Sequence, residues 1–198
     1  AAKALANQLR NNGFFLEFHG KQCDPYLSYH CKNALVVPPE PFKFRSLTPI
    51  VGGVVWPKTA PRWAHTLRYH WPITCEVNSS FSHKVNMDED VVESGIWCGY
   101  VCEHFGHFIS EFSTRIAVSA RVHPNESLLF AVPQNVSIDE YVPGYFWTIA
   151  ESLGAKRDNI RFIQKPTVVK TLRVYPQAEY MFGPPPSEAY LKLLNSLR

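Results

Sequence analysis

The chain has 198 residues, of which 45% are hydrophobic, 14% aromatic and 19% charged. That suits one globular domain with a sizeable core and argues against disorder. No apolar run approaches the roughly 18 residues that span a bilayer, sixteen prolines count against a helical bundle, and five cysteines are too few and odd in number for a disulfide scaffold. A net charge of +3 with no block of like charges excludes the basic stripe expected of a nucleic-acid binder.

In chain order, residues 1–12 read as an amphipathic helix ended by Asn11-Asn12-Gly13, and 14–18 as a short strand. Residues 20–33 read as a loop containing Cys23 and Cys31, which would close a short loop if bonded, and 34–37 as a strand before the Pro38-Pro39 break. Residues 38–90, rich in Pro, His and aromatics, are expected to hold strands at 50–56 and 74–77. The second half alternates more clearly: a strand over 91–101, a helix over 102–120, a buried strand over 128–132, a helix over 143–153 closed by Gly154, and strands over 160–163 and 168–175. A last helix starts at the N-cap Ser187 and places Tyr190, Leu191, Leu194 and Leu197 at helical spacing. Alternating strands and helices indicate an α/β layer architecture. The chain begins with Ala rather than Met and stops within or at the end of a helix, as a processed or partial chain would.

The stretch 97–116, WCGYVCEHFGHFISEFSTRI, carries the chemistry. On a helix, Phe105, Phe108, Ile109, Phe112 and Ile116 form a core stripe, while His104, His107, Glu111 and Arg115 fall on the neighbouring side. His107, Glu111 and Arg115 are successive i,i+4 neighbours. A histidine beside a carboxylate can serve as a general base with a fixed tautomer, and an arginine one turn on can clamp a phosphate or carboxylate. The same row is also what a solvated surface of paired charges looks like. Gly106 inside the helix suggests a close backbone approach or a helix start just before His107.

Cys98, Cys102, His104 and His107 supply four metal-capable groups within ten residues, but their spacing matches no common structural zinc pattern, and no metal is expected. Sequons begin at Asn78, Asn125 and Asn135, a weak excess over chance. Asp88-Glu89-Asp90 reads as a solvated acidic turn, and Lys156, Arg157, Arg161, Lys165, Lys170 and Arg173 as a solvated basic face able to meet an anionic lipid surface or a phosphorylated substrate.

An aromatic-rich strand followed by Gly106-His107-Phe108-Ile109-Ser110-Glu111-Phe112-Ser113-Thr114-Arg115 resembles the N-terminal half of glycosyltransferase family 61, which includes capsular polysaccharide biosynthesis proteins. A second feature follows in order: Leu153-Gly154-Ala155-Lys156-Arg157-Asp158-Asn159-Ile160 and then an aliphatic strand from Thr167 to Tyr175. The resemblance covers about 91–198; Ser110 stands where the family has an aliphatic residue and Thr114 where it has Pro, and 1–90 join by position only.

The resemblance implies a Rossmann-like layered α/β domain, the N-terminal half of a GT-B enzyme. Such an enzyme is usually inverting and transfers a sugar from a nucleotide sugar to a saccharide or glycan acceptor. It places catalysis on His107, Glu111 and Arg115, with His107 or Glu111 as base and Arg115 orienting or phosphate-facing. It implies no cofactor, and a donor-binding C-terminal domain lying beyond this sequence, so that the piece alone would be inactive. Its setting would be the cytoplasm or the membrane periphery in a bacterium, or the secretory lumen in a eukaryote. Peripheral membrane association or self-association through the uncovered apolar face of the last helix is expected. The rival expectation is a non-catalytic carbohydrate- or protein-binding α/β module in which Trp56, Trp63, Tyr69 and Trp71 stack on sugar rings.

Overall fold

The eleven-residue strand β5 (Asp90–Tyr100) has a parallel partner on each side. The computed structural model describes residues 25–26, 28–39, 53–54, 68–70, 73–75, 90–178 and 186–197. The other strands are β1 (Tyr29–Val37), β2 (Gly53–Val54), β3 (Arg68–His70), β4 (Ile73–Cys75), β6 (Leu128–Ala131), β7 (Ile160–Ile163) and β8 (Thr167–Val174). The helices are α1 (Phe105–His107), α2 (Thr114–Val122), α3 (Ile138–Tyr141), α4 (Gly144–Ser152) and α5 (Glu188–Asn195). A π-helical turn occupies Phe108–Phe112 and a 3-10 turn Arg157–Asn159. The fold is mixed α/β, with a six-stranded sheet in the order β2-β1-β8-β5-β6-β7 and a separate antiparallel pair, β3-β4. β8, β5, β6 and β7 run parallel, and β1 is antiparallel to both β8 and β2.

Burial on both faces explains the continuous apolar run of β6. Leu128 and Phe130 face the helices with Ile96, Cys98, Phe108, Phe112, Ile116 and Phe146. Leu129 and Ala131 face a second core with Val36, Val54, Val92, Trp97, Val169 and Val174. The sheet curls around that second core. Gly53, on the far edge strand, lies against β5: a Cβ there would stand 2.4 Å from the Tyr100 hydroxyl and 3.6 Å from the Trp97 ring, and its φ of +97° also favours glycine. The link from β7 to β8 requires the same curl. Ile163 accepts from Val132 N beyond the end of β6, and two residues later Lys165 pairs with Asp90 at the start of β5, 3.0 Å away. A flat parallel sheet would need a far longer crossover.

Several expectations are corrected. Residues 29–33 are strand rather than loop, because β1 pairs with β8 continuously from Tyr29 opposite Val174 to Val36 opposite Thr167. The helix expected over 102–120 starts at Phe105 and is interrupted by the π turn, and two of its five stripe residues, Phe105 and Ile109, are exposed. In α5, Ser187 caps Tyr190 N as expected, but Leu193 rather than Leu191 joins Tyr190 inside. This helix packs on the domain's own core through Tyr190 and Leu193, with Leu194 and Leu197 at the margin and Leu191 exposed.

Five of the six basic side chains have polar partners: Lys165 with Asp90, Lys170 with Glu93, Arg173 with Glu126 and Arg157 with Glu151, while Lys156 reaches Asn125. No helix among the described residues is long and apolar enough to cross a membrane. The helix and strand expected within 1–18, Cys23, Asn78, Asp88, Glu89 and the side chains of Trp56, Trp63, Tyr69 and Trp71 lie outside the described residues.

A tight contact inside the sheet offers a test. A Cβ on Gly95 would stand 2.6 Å from Leu129 Cδ1 and 2.8 Å from its Cγ, with Leu129 fully buried. Gly95→Ala is expected to destabilise the fold by about 1–3 kcal/mol in urea titration, the usual cost of overpacking, and Leu129→Ala in the same chain should relieve the clash.

Candidate active site

The site begins where β5 leaves the sheet. Its pairing with β6 is irregular between Trp97 and Gly99, and Gly99 has a φ of +117°. Gly99 also lies beside Arg115, whose Nη1 would be 3.7 Å from a Cβ there. The chain then turns out through residues 101–104, anchored by Val101 N donating to Ala131 O (3.1 Å) and by the Tyr145 hydroxyl donating to Cys102 O (2.8 Å). Burial pushes the Tyr145 hydroxyl up to about 12, so it stays a donor.

His104 is the N-cap of the following helix. Its Nδ1 accepts the His107 N–H at 3.3 Å, and the two rings lie 4.6 Å apart, tilted by 51°. The helix then widens: Ser113 N donates to Phe108 O, five residues back, at 2.8 Å. Hydroxyls bond the carbonyls around this wide turn, Ser110 to Gly106 O, Ser113 to Ile109 O and Thr114 to Glu111 O. Every residue from Glu111 to Ala120 is buried.

The structure therefore replaces the solvated charge row with an interior one. His107 Nδ1 and Glu111 Oε1 are 2.7 Å apart. The Glu111 side chain is 1% exposed and that of His107 is 13% exposed, so the imidazole is the member of the pair in contact with solvent. Arg115 points elsewhere: Nε donates to Tyr175 O at 2.8 Å and Nη1 to Gln177 Oε1 at 3.4 Å. Its guanidinium thus ties the chain leaving β8 to the helix that follows β5. Burial draws its pKa down to about 10, opposed by Cys98 and Tyr100, so it remains a cation at neutral pH. Sequence reasoning missed Tyr175 and Gln177, which lie 60 and 62 residues away in the chain and carry no local signal.

Burial pushes the Cys98 thiol up to about 12, which disfavours the thiolate that a zinc ligand requires. Among the described residues no group of three or more His, Cys, Asp or Glu side chains is placed to hold a metal ion.

The other end of α2 carries a second polar cluster that sequence reasoning did not find. His123 Nε2 is 2.9 Å from the Tyr175 hydroxyl and its Nδ1 is 3.5 Å from Glu126, which pairs with Arg173. Tyr175 thus brackets α2, with its carbonyl on Arg115 and its hydroxyl on His123.

No protein-family model, no curated protein and no solved structure matches the chain.

Two predictions follow from these contacts. Arg115→Lys and Arg115→Ala are both expected to lower stability by about 1–3 kcal/mol in chemical denaturation, because neither variant satisfies the Tyr175 carbonyl and Gln177 together. The second concerns pH. Burial lowers the His123 pKa from its ordinary 6.5, with Arg173 and His30 adding to the effect and Glu126 opposing it. The unfolded chain then takes up a proton before the folded one. The His123 contribution is complete above about pH 6.5 and falls as pH drops through that value toward the lower folded pKa. Melting temperatures measured from pH 7.5 to 5 should decline more steeply for the wild type than for His123→Gln.

Proposed function

We propose that the chain is the acceptor-side domain of an inverting glycosyltransferase of the GT-B type, using a nucleotide sugar. The observation that carries this reading is the His107–Glu111 pair, a solvent-contacting imidazole held by a buried carboxylate at 2.7 Å. The ordered resemblance of 91–198 to glycosyltransferase family 61 agrees with it.

Glu111 fixes the Nδ1–H tautomer of His107, so Nε2 carries the lone pair. His107 is the base, and Glu111 orients it and stabilises the imidazolium that forms. The acceptor hydroxyl gives its proton to His107 Nε2 as its oxygen bonds to the anomeric carbon of the donor. The bond from that carbon to the nucleoside diphosphate breaks, and its electron pair leaves with the diphosphate. Arg115, buried on Tyr175 and Gln177, positions the site rather than binding phosphate.

The order of the parallel strands supports the Rossmann-like part of the reading. Taken from β5, the sequence β7-β6-β5-β8 is the 3-2-1-4 arrangement of a doubly wound sheet. In such sheets ligands bind outside the carboxyl ends of the strands where the order reverses. Here that is the junction between the exits of β5 and β8, which Arg115 bridges by its bonds to Tyr175 and Gln177, all three residues being buried. The short link between β7 and β8 departs from the pattern, since no helix fills that crossover.

In the full-length enzyme, His107→Ala and Glu111→Ala are each expected to lower turnover at least about a hundredfold with folding unchanged. Turnover within about twofold of wild type for both would remove the assignment.

A further inference from the structure

We infer that Thr114 is a positioning residue for the candidate base: its hydroxyl ties the backbone of Glu111 to the chain beyond β8 and so holds the carboxylate that orients His107. The inference deepens the proposed function and rests on it, since only that reading makes His107 a base.

Thr114 is buried at 3% exposure, and its one hydroxyl makes two bonds. Oγ1 accepts from the main-chain N–H of Ala178 at 3.3 Å and donates to the main-chain carbonyl of Glu111 at 2.8 Å. Both roles are fixed, because an amide N–H only donates and a carbonyl oxygen only accepts. The bonds therefore run in one direction, from Ala178 through Thr114 to Glu111. A hydroxyl that accepts one bond is polarised toward giving the next, so the first bond strengthens the second.

The receiving carbonyl belongs to the residue whose carboxylate lies 2.7 Å from His107 Nδ1. It sits in the π turn Phe108–Phe112, where Ser113 N reaches back five residues to Phe108 O. Such turns are rare and short. Ser110 and Ser113 bond carbonyls within their own helical segment, Gly106 O and Ile109 O. Thr114 differs from them in also reaching a segment 64 residues on. Without its hydroxyl the Glu111 backbone loses its tie to that segment, and the carboxylate moves with the backbone. A displacement of about 0.5 Å is enough to take the His107 contact beyond the roughly 2.7–2.9 Å of a charge-assisted bond.

The test reads the imidazole and not only stability. Thr114→Val keeps the shape of the side chain and removes the hydroxyl; Thr114→Ser restores it. Nitrogen-15 shifts of the His107 ring, recorded by NMR on the whole chain at about pH 8 and assigned with His107→Gln, give the ratio of Nδ1–H to Nε2–H tautomers. The wild type and Thr114→Ser are expected to hold the Nδ1–H form. Thr114→Val is expected to lower the ratio about tenfold, the size of effect that follows from losing one buried hydrogen bond. Gly95→Ala crowds Leu129 on the opposite face of the sheet and is the control: it lowers stability and leaves the ratio unchanged. If Thr114→Val does not fold, Thr114→Cys, whose thiol is a much weaker donor, reads the same ratio. An unchanged ratio in the variant without the hydroxyl, an equal fall in Gly95→Ala, or no rescue by Thr114→Ser overturns the inference. The enzyme reading fails separately. A ratio that falls in Thr114→Val, with turnover in the full-length enzyme indifferent to His107→Ala, keeps the hold of Thr114 on the pair and removes the base. Turnover that depends on His107, with a ratio indifferent to Thr114, keeps the base and removes the positioning role.

Discussion

A guanidinium buried at 3% exposure has to be supplied with acceptors, and Arg115 finds them on the chain that leaves β8. A buried cation without partners is strongly unfavourable, so the bonds to the Tyr175 carbonyl and Gln177 fix where that segment crosses α2. Thr114 adds a third tie by accepting from Ala178 N. At the far end of the helix the Tyr175 ring meets His123. The helix that follows the His107–Glu111 pair is thus clamped at both ends by the few residues that follow one strand.

With α2 held in this way, the segment between β5 and α2 has to absorb the remaining mismatch, and the π turn at Phe108–Phe112 does so. Widening a helix leaves carbonyls poorly bonded; Ser110, Ser113 and Thr114 supply hydroxyl donors to three of them. The widened turn lies one step inside the helix start and turns Glu111 into the protein, where it holds His107 at 2.7 Å with 1% of its side chain exposed.

The curl of the sheet has consequences on the opposite face. It brings Gly53 of the edge strand against Trp97 and Tyr100, and Tyr100 in turn meets Phe112 edge-on at 6.4 Å. The second core and the π turn are therefore in mechanical contact through one aromatic ring. The outer surface contributes little by comparison. Its ion pairs, such as Lys170 with Glu93, are exposed and are each worth at most about 1 kcal/mol.

What the sequence determined by itself is what depends on near neighbours. The strands over 160–163 and 128–132, the helix before Gly154 and the Ser187 cap are local matters of period, β-branching and terminal hydrogen bonding, and they stand within a residue or two of where periodicity placed them. The His107–Glu111 contact was legible for the same reason, being one turn of helix. Tertiary structure decided the rest. Residues 29–33 have no strand signal of their own and become strand because β8 lies alongside. Phe105 and Ile109 are exposed because a bond across five residues displaced the α-helical register. Arg115 is interior because the segment beyond β8, some 60 residues away, closes over it. Spacing along a helix fixes which side chains are neighbours; whether that row faces water or core depends on what packs against the helix, and no local pattern records it.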